Sequence, residues 1–238
     1  MSAEHSRAPH LVAAASRMLA VAGIFDMHGH ISLRDGDSVF VNGHGASRIA
    51  VRPDEIAVVR VSDGATDRGT PPSELPIHRE LYRARPDVGS IVHYHALYAT
   101  ALSVAEKPLV AAFNAGASFG REVPVLDDPR LIRDEARGRA LAAVVGAGNA
   151  AVMRGHGAVV VARDIVTCLA LALQLEENAH RLWLSYAIGE PRRFSDAEIA
   201  SVAENLGEPR VVRKIWTDAL ERARRAGALE DIDVALLA

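Results

Sequence analysis

The chain has 238 residues, 49% hydrophobic and 24% charged, which supplies a sizeable core and excludes an intrinsically disordered chain. A net charge of −3, with no Lys/Arg cluster interleaved with aromatics, argues against a nucleic-acid partner, and the most apolar long run, 140–153, is interrupted by Gly146 and Gly148 and is too short to span a bilayer. The amino terminus lacks an apolar signal core and the lone cysteine, Cys168, excludes an intrachain disulfide, so the expectation is a cytoplasmic protein with no membrane partner.

Helical and strand signals alternate along the chain. Apolar spacing predicts a helix over 10–21 that ends near Gly23. Segments 31–33 and 38–41 flank Asp35-Gly36-Asp37, which is hairpin chemistry. A glycine-containing loop over 42–48 is followed by a short turn at 53–55 and a strand over 57–61. The polar stretch 62–72, with glycines and a terminal proline pair, reads as a loop. Ser73 suits the N-cap of a helix running to about Arg85, with Pro76 tolerated in its first turn. An apolar run over 88–92 predicts a strand leading into His93. Next come a helix over 98–105, strands over 109–113 and 123–126, a helix over 129–145, and strands over 150–153 and 158–161. Asp164 caps a long amphipathic helix in which Ile165, Cys168, Leu169, Ala172, Leu175, Ala179 and Leu182 recur at three- and four-residue steps. Beyond Pro191, two charged helices over 196–206 and 209–226 look peripheral to the core. The hairpin-like strand pairs predict an α/β fold with a mixed or antiparallel sheet and helices on both faces.

Two histidine motifs carry the chemistry, His93-Tyr94-His95 and Arg154-Gly155-His156-Gly157. Residues two apart on a strand point to the same face, so the imidazoles of His93 and His95 can reach one point. His156 lies between two glycines in a strand-to-strand turn, with little bulk around it. Three neutral imidazoles commonly hold a catalytic divalent metal with positions left open for substrate, which makes these residues the candidate metal ligands. The competing reading is three histidines making core hydrogen bonds. Glu74 also has two readings. Local chemistry alone favours simple stabilisation of a helix first turn through the dipole; the other reading is a carboxylate near the metal that moves protons or is displaced by substrate.

Gly29-His30-Ile31-Ser32-Leu33-Arg34, Pro72-Ser73-Glu74, His93-Tyr94-His95 and Arg154-Gly155-His156-Gly157 fall in the order and approximate spacing of the class II aldolase/adducin family. The chain resembles that family from about Leu11 to Leu184. The resemblance implies a three-layer α/β/α domain around a mainly antiparallel sheet, here over 1–190, with 191–238 as a helical extension packed on it. It also implies one divalent metal ion per subunit (zinc, or manganese, iron or cobalt) at His93, His95 and His156, with Glu74 as catalytic acid/base. A homotetramer with active sites at subunit interfaces is implied as well.

The departures from the family pattern bear on substrate. Sugar-phosphate aldolases of the family carry Gly-Asn where this chain has Gly29-His30, and a Thr-Gly element where it reads Asn42-Gly43-His44-Gly45-Ala46-Ser47-Arg48. Their serine pair before the acid is here Pro72-Ser73. Those donors bind phosphate, so the changes point away from a phosphorylated sugar. His30, His44, Arg48 and Ser73 become candidate substrate-binding residues; the imidazoles and the guanidinium can pair with a carboxylate or a phenolic oxygen. The Gly-His-Ile-Ser variant is similar to the branch that includes decarboxylases of hydroxylated aromatic dicarboxylates. The expectation is a metal-dependent carbon–carbon lyase, a decarboxylase whose partner is a small-molecule hydroxyaromatic carboxylate. The alternatives are a sugar-phosphate aldolase or epimerase resembling the fuculose-phosphate aldolases, and a non-catalytic adducin-like scaffold.

Overall fold

Short apolar runs bounded by turn residues become eight strands of one sheet: β1 (His30–Asp35), β2 (Ser38–Asn42), β3 (Ile56–Arg60), β4 (Thr66–Arg68), β5 (Ser90–Tyr94), β6 (Val125–Leu126), β7 (Ala150–Met153) and β8 (Gly157–Ala162). The computed structural model describes residues 3–237. The strand order is β4-β3-β2-β1-β5-β8-β7-β6, antiparallel throughout except for the short β6–β7 pair. The helices are α1 (Ala3–Val21), α2 (Leu75–Ala84), α3 (Leu97–Val104), α4 (Glu135–Val145), α5 (Ile165–Ile188), α6 (Asp196–Gly207) and α7 (Pro209–Arg225).

Strand residues alternate between the two faces of a sheet, and this alternation divides the interior. Val92 and Tyr94 of β5 join a core with residues of α1, α3, α5 and α7. Ile91 of the same strand joins a second core with Ile77, Leu81 and Tyr82 of α2 and Leu141 and Val145 of α4. The result is three layers, helix, sheet and helix, as the sequence predicts. Every member of the predicted α5 stripe is buried, and the Cys168 thiol packs within it, donating to the Val160 carbonyl at 3.5 Å.

Five local expectations differ from the structure, the first being that α1 begins at Ala3, seven residues before its predicted start. Within 62–72, Thr66–Arg68 pairs with β3 as a fully exposed edge strand, whose polar composition is that of a loop because neither face is covered. The predicted strand over 109–113 forms only an isolated bridge, Val110 to Glu122, before a 3₁₀ turn at Asn114–Phe119. Its carbonyls are taken instead by Asn178 Nδ2 at Val110 and by the Phe194 amide at Ala111. Helix α4 starts at Glu135, where the Asp134 carboxylate accepts from the Arg137 amide at 2.9 Å, so 129–134 lies outside it. The C-terminal helices do not behave alike. Helix α6 buries no residue, whereas α7 packs on α1 and α5 and sinks Trp216, Ala219 and Ala223 into the core. Among the described residues no helix is long and apolar enough to cross a membrane.

Candidate active site

Strand β5 delivers the first histidine. His93 is fully buried and sits on the sheet face that carries α2, two residues from Ile91. Its Nδ1–H donates to the Ala158 carbonyl at 3.0 Å, which leaves the lone pair on Nε2. His95 lies one residue beyond the end of β5, past a turn closed by the Ala96 amide on the Tyr94 carbonyl, so the strand-spacing argument places only His93. The two imidazoles nevertheless converge, with ring centroids 5.6 Å apart.

His156 comes from the tight turn between β7 and β8. Gly155 there adopts φ of 68°, a left-handed conformation that favours glycine. At Gly157 a Cβ would lie 2.5 Å from the Tyr94 carbonyl oxygen and 3.2 Å from His93 Cε1, so only glycine lets β8 close against β5 beside the site. The His156 ring centroid is 5.0 Å from that of His93 and 5.5 Å from that of His95.

Glu74 is the residue immediately before α2. The helix begins with Leu75 and Pro76, and neither Ser73 nor Glu74 caps it with a side-chain bond. The predicted capping role of Ser73 is therefore not realised, and Ser73 is exposed. The Glu74 carboxylate turns inward instead. Its Oε1 accepts the Ile132 amide at 2.9 Å and lies 3.4 Å from His156 Nε2, while Oε2 lies 3.6 Å from His93 Nε2. Burial opposes its charge, but the imidazoles of His156 and His93 and the Ile132 amide outweigh burial and hold it well below the usual carboxylate range.

Ligating atoms of Glu74, His93, His95 and His156 all lie within 4.8 Å of one another. His93 Nε2 and both ring nitrogens of His156 are buried without a hydrogen-bond partner, and unpaired buried polar atoms are costly. Burial first, then the neighbouring His93 imidazole, lowers the pKa of His95, favouring the neutral form that binds metals. Three nitrogens and a carboxylate oxygen, with orphaned lone pairs among them, fit a divalent cation.

The other candidates surround this cluster unevenly. His30, buried at the start of β1, is the cross-strand partner of His93, and their ring centroids are 5.0 Å apart. Arg48 and His44 line a neighbouring cavity of about 500 Å³ with Asp26 and Met27. Arg48 is buried and commits Nη1 to the carbonyls of Gly43 and Ala46, so part of its role is to hold its own loop. Its Nε is buried with no partner, and burial lowers its pKa. His44 is exposed. Residues not expected from the sequence also reach the site. Asp26 Oδ2 lies 3.6 Å from His95 Nδ1, and His78 contacts His30. His78 had one legible signal, since it lies four residues after Glu74 and so on the same helical face.

The model of the class II aldolase and adducin N-terminal domain matches residues 10–183, and the chain belongs to that family. Among its relatives, the 3,4-dihydroxyphthalate decarboxylase of Terrabacter sp. is 30% identical over 222 residues, covering 87% of this chain and 93% of the relative. The 5-methylthioribulose-1-phosphate/5-deoxyribulose-1-phosphate aldolase of Rhodospirillum rubrum is 28% identical over 177 residues, covering 74% of this chain and 80% of the relative. The crystal structure of an aldolase II superfamily protein from Pseudomonas syringae superposes with a TM-score of 0.82 at 20% identity, covering 96% of each chain, and supports the fold.

Proposed function

We propose that this chain is a divalent-metal-dependent carbon–carbon lyase, a decarboxylase of a hydroxylated aromatic mono- or dicarboxylic acid. The observation that carries this choice is the imidazole of His30 set beside His93, where the resemblance gives sugar-phosphate aldolases an asparagine. The Arg48 cavity next to it adds a buried cation suited to a carboxylate. The decarboxylase relative aligns over more of the chain than the aldolase relative, which supports the same reading.

In this proposal His93, His95 and His156 are the metal ligands, and a divalent ion bound there supplies Lewis-acid stabilisation of charge developing on a substrate oxygen. Glu74 starts ionised, so it first accepts the phenolic proton ortho to the scissile carboxylate. The carbon–carbon bond then breaks, carbon dioxide leaves, and its electron pair stays with the ring. Glu74 returns the proton to the ring carbon, and solvent reprotonates the phenolic oxygen. Glu74 thus serves as base before it serves as acid. Retro-aldol cleavage can use the same residues, and the aldolase relative keeps that as the second reading. The site is expected to work in a soluble homo-oligomer.

The experiment is a purified, zinc- or manganese-loaded sample offered ortho-hydroxy aromatic mono- and dicarboxylates and ketose 1-phosphates side by side. Release of carbon dioxide from the aromatic acids is expected. Cleavage of the ketose phosphates with no carbon dioxide from any aromatic acid reverses the choice.

A further inference from the structure

Beneath the histidine cluster runs a second line of polar side chains, buried in the interior. His30 Nδ1 lies 2.6 Å from His78 Nε2, His78 Nδ1 lies 2.7 Å from Ser32 Oγ, and Ser32 Oγ lies 2.8 Å from the Tyr82 hydroxyl. His78 and Ser32 are 0% exposed and Tyr82 is 1% exposed. The strand pattern explains how they meet. His30 and Ser32 are two apart on β1 and face α2, while His78 and Tyr82 are four apart on α2 and face β1.

Each contact is crossed by one proton, so the direction of any one bond fixes the others. Tyr82 decides it. Apart from Ser32, its hydroxyl has one acceptor among the described residues, the Gly89 carbonyl at 3.5 Å. A hydroxyl bond of normal strength spans about 2.7–2.8 Å, so a buried phenol with this choice donates to Ser32. Ser32 then donates to His78 Nδ1, and His78 donates from Nε2 to His30 Nδ1. The remaining proton of neutral His30 is on Nε2. That nitrogen makes no hydrogen bond within the described residues and is not fully buried, on a ring whose centroid lies 5.0 Å from that of His93.

We propose that Tyr82, Ser32 and His78 form a tautomer-setting line that holds His30 as a neutral Nε2–H donor to an anionic substrate oxygen, a carboxylate or an enolate. His30 therefore has no lone pair to offer a substrate hydroxyl, and base chemistry is left to Glu74. His78, Ser32 and Tyr82 are positioning residues that act through His30. The assignment deepens the lyase reading and rests on it for the identity of the anion, whereas the tautomer itself can be read without turnover.

The test is long-range proton–nitrogen NMR of the zinc-loaded protein carrying ¹⁵N-labelled histidine, with signals assigned through the variants His30→Asn and His78→Gln. The expected spectrum has His30 and His78 protonated at Nε2 and bare at Nδ1. Tyr82→Phe removes the terminal donor, and the Nε2-protonated population of His30 is expected to fall while zinc content is unchanged. Ser32→Ala breaks the line one bond later and is expected to do the same. Protonation of His30 at Nδ1 in the unmodified protein overturns the proposal, as does an unchanged tautomer in both folded variants. If neither variant folds, the unmodified spectrum still decides it. Failure of the decarboxylase assay leaves this readout intact, so the two readings fail separately.

Discussion

Glu74 is held between opposed influences. Burial resists its charge, while two imidazoles and the Ile132 amide favour it. A carboxylate so placed can take and return a proton without leaving its position. Glu74→Gln keeps the shape and loses the proton exchange. We expect it to retain bound metal, read by elemental analysis, and to lose turnover by about a hundred- to ten-thousand-fold, the usual contribution of a general acid–base group. His93→Ala and His156→Ala are expected to lose the metal itself; full occupancy in both would remove the basis for the proposed metal centre. At this scale the two histidine motifs were legible from local pattern, whereas Glu74 stood out only through the family resemblance, since local chemistry alone favoured stabilisation of a helix first turn. The sequence was not legible for Asp26 and the Ile132 amide, which reach the site through chain folding rather than through neighbours in sequence, and for His78 it offered only the four-residue step from Glu74.

At the scale of elements, the β7–β8 turn and strand β5 form one packed unit. Gly157 sits where a methyl group would meet the Tyr94 carbonyl, so Gly157→Ala must push β8 away from β5. Overpacking of this kind costs about 1–3 kcal/mol. We expect a lower urea midpoint together with weaker metal retention, since His156 precedes this residue. An unchanged midpoint and metal content would show that the strands have slack there. Amphipathic helices and apolar strands were readable from periodicity, as the α5 stripe illustrates. Strand β4 was not, because an exposed edge strand carries no hydrophobic alternation. Segment 109–113 misled in the opposite sense. Leu109 and Val110 are buried, but its backbone meets only the 121–123 segment in an isolated bridge, and the Val110 and Ala111 carbonyls go to a side chain and a loop amide.

The whole molecule keeps two cores separated by the sheet, and the buried His30–His78 pair lies beside the smaller one. Burial pushes His78 down to about 3. The unfolded chain carries this imidazole near its ordinary value of about 6.5. Between these values the unfolded state holds the extra proton, so stability is full above about pH 6.5 and is lost as the pH falls toward 3. His78 alone contributes a slope of up to about 1.4 kcal/mol per pH unit, and His30 is shifted in the same direction. Urea unfolding at pH 7.5, 6 and 5 is expected to show the decline, and a flat profile would contradict neutral burial of the pair. Helix α7 shows where whole-chain reading reached its limit. A charged amphipathic sequence looks peripheral, yet one tryptophan face is enough to bind it to the main core.

The cross-strand pairing of His30 with His93 carries a consequence for how such a site can diverge. The two residues occupy facing rungs at the end of one ladder, so the proposed ligand and its proposed specificity neighbour share a backbone scaffold but not a side chain. On the proposed function, exchange at position 30 is expected to redirect the chemistry while the ladder and the three histidines stay as they are. Fraying from that same end would disable both at once, long before the rest of the sheet came apart.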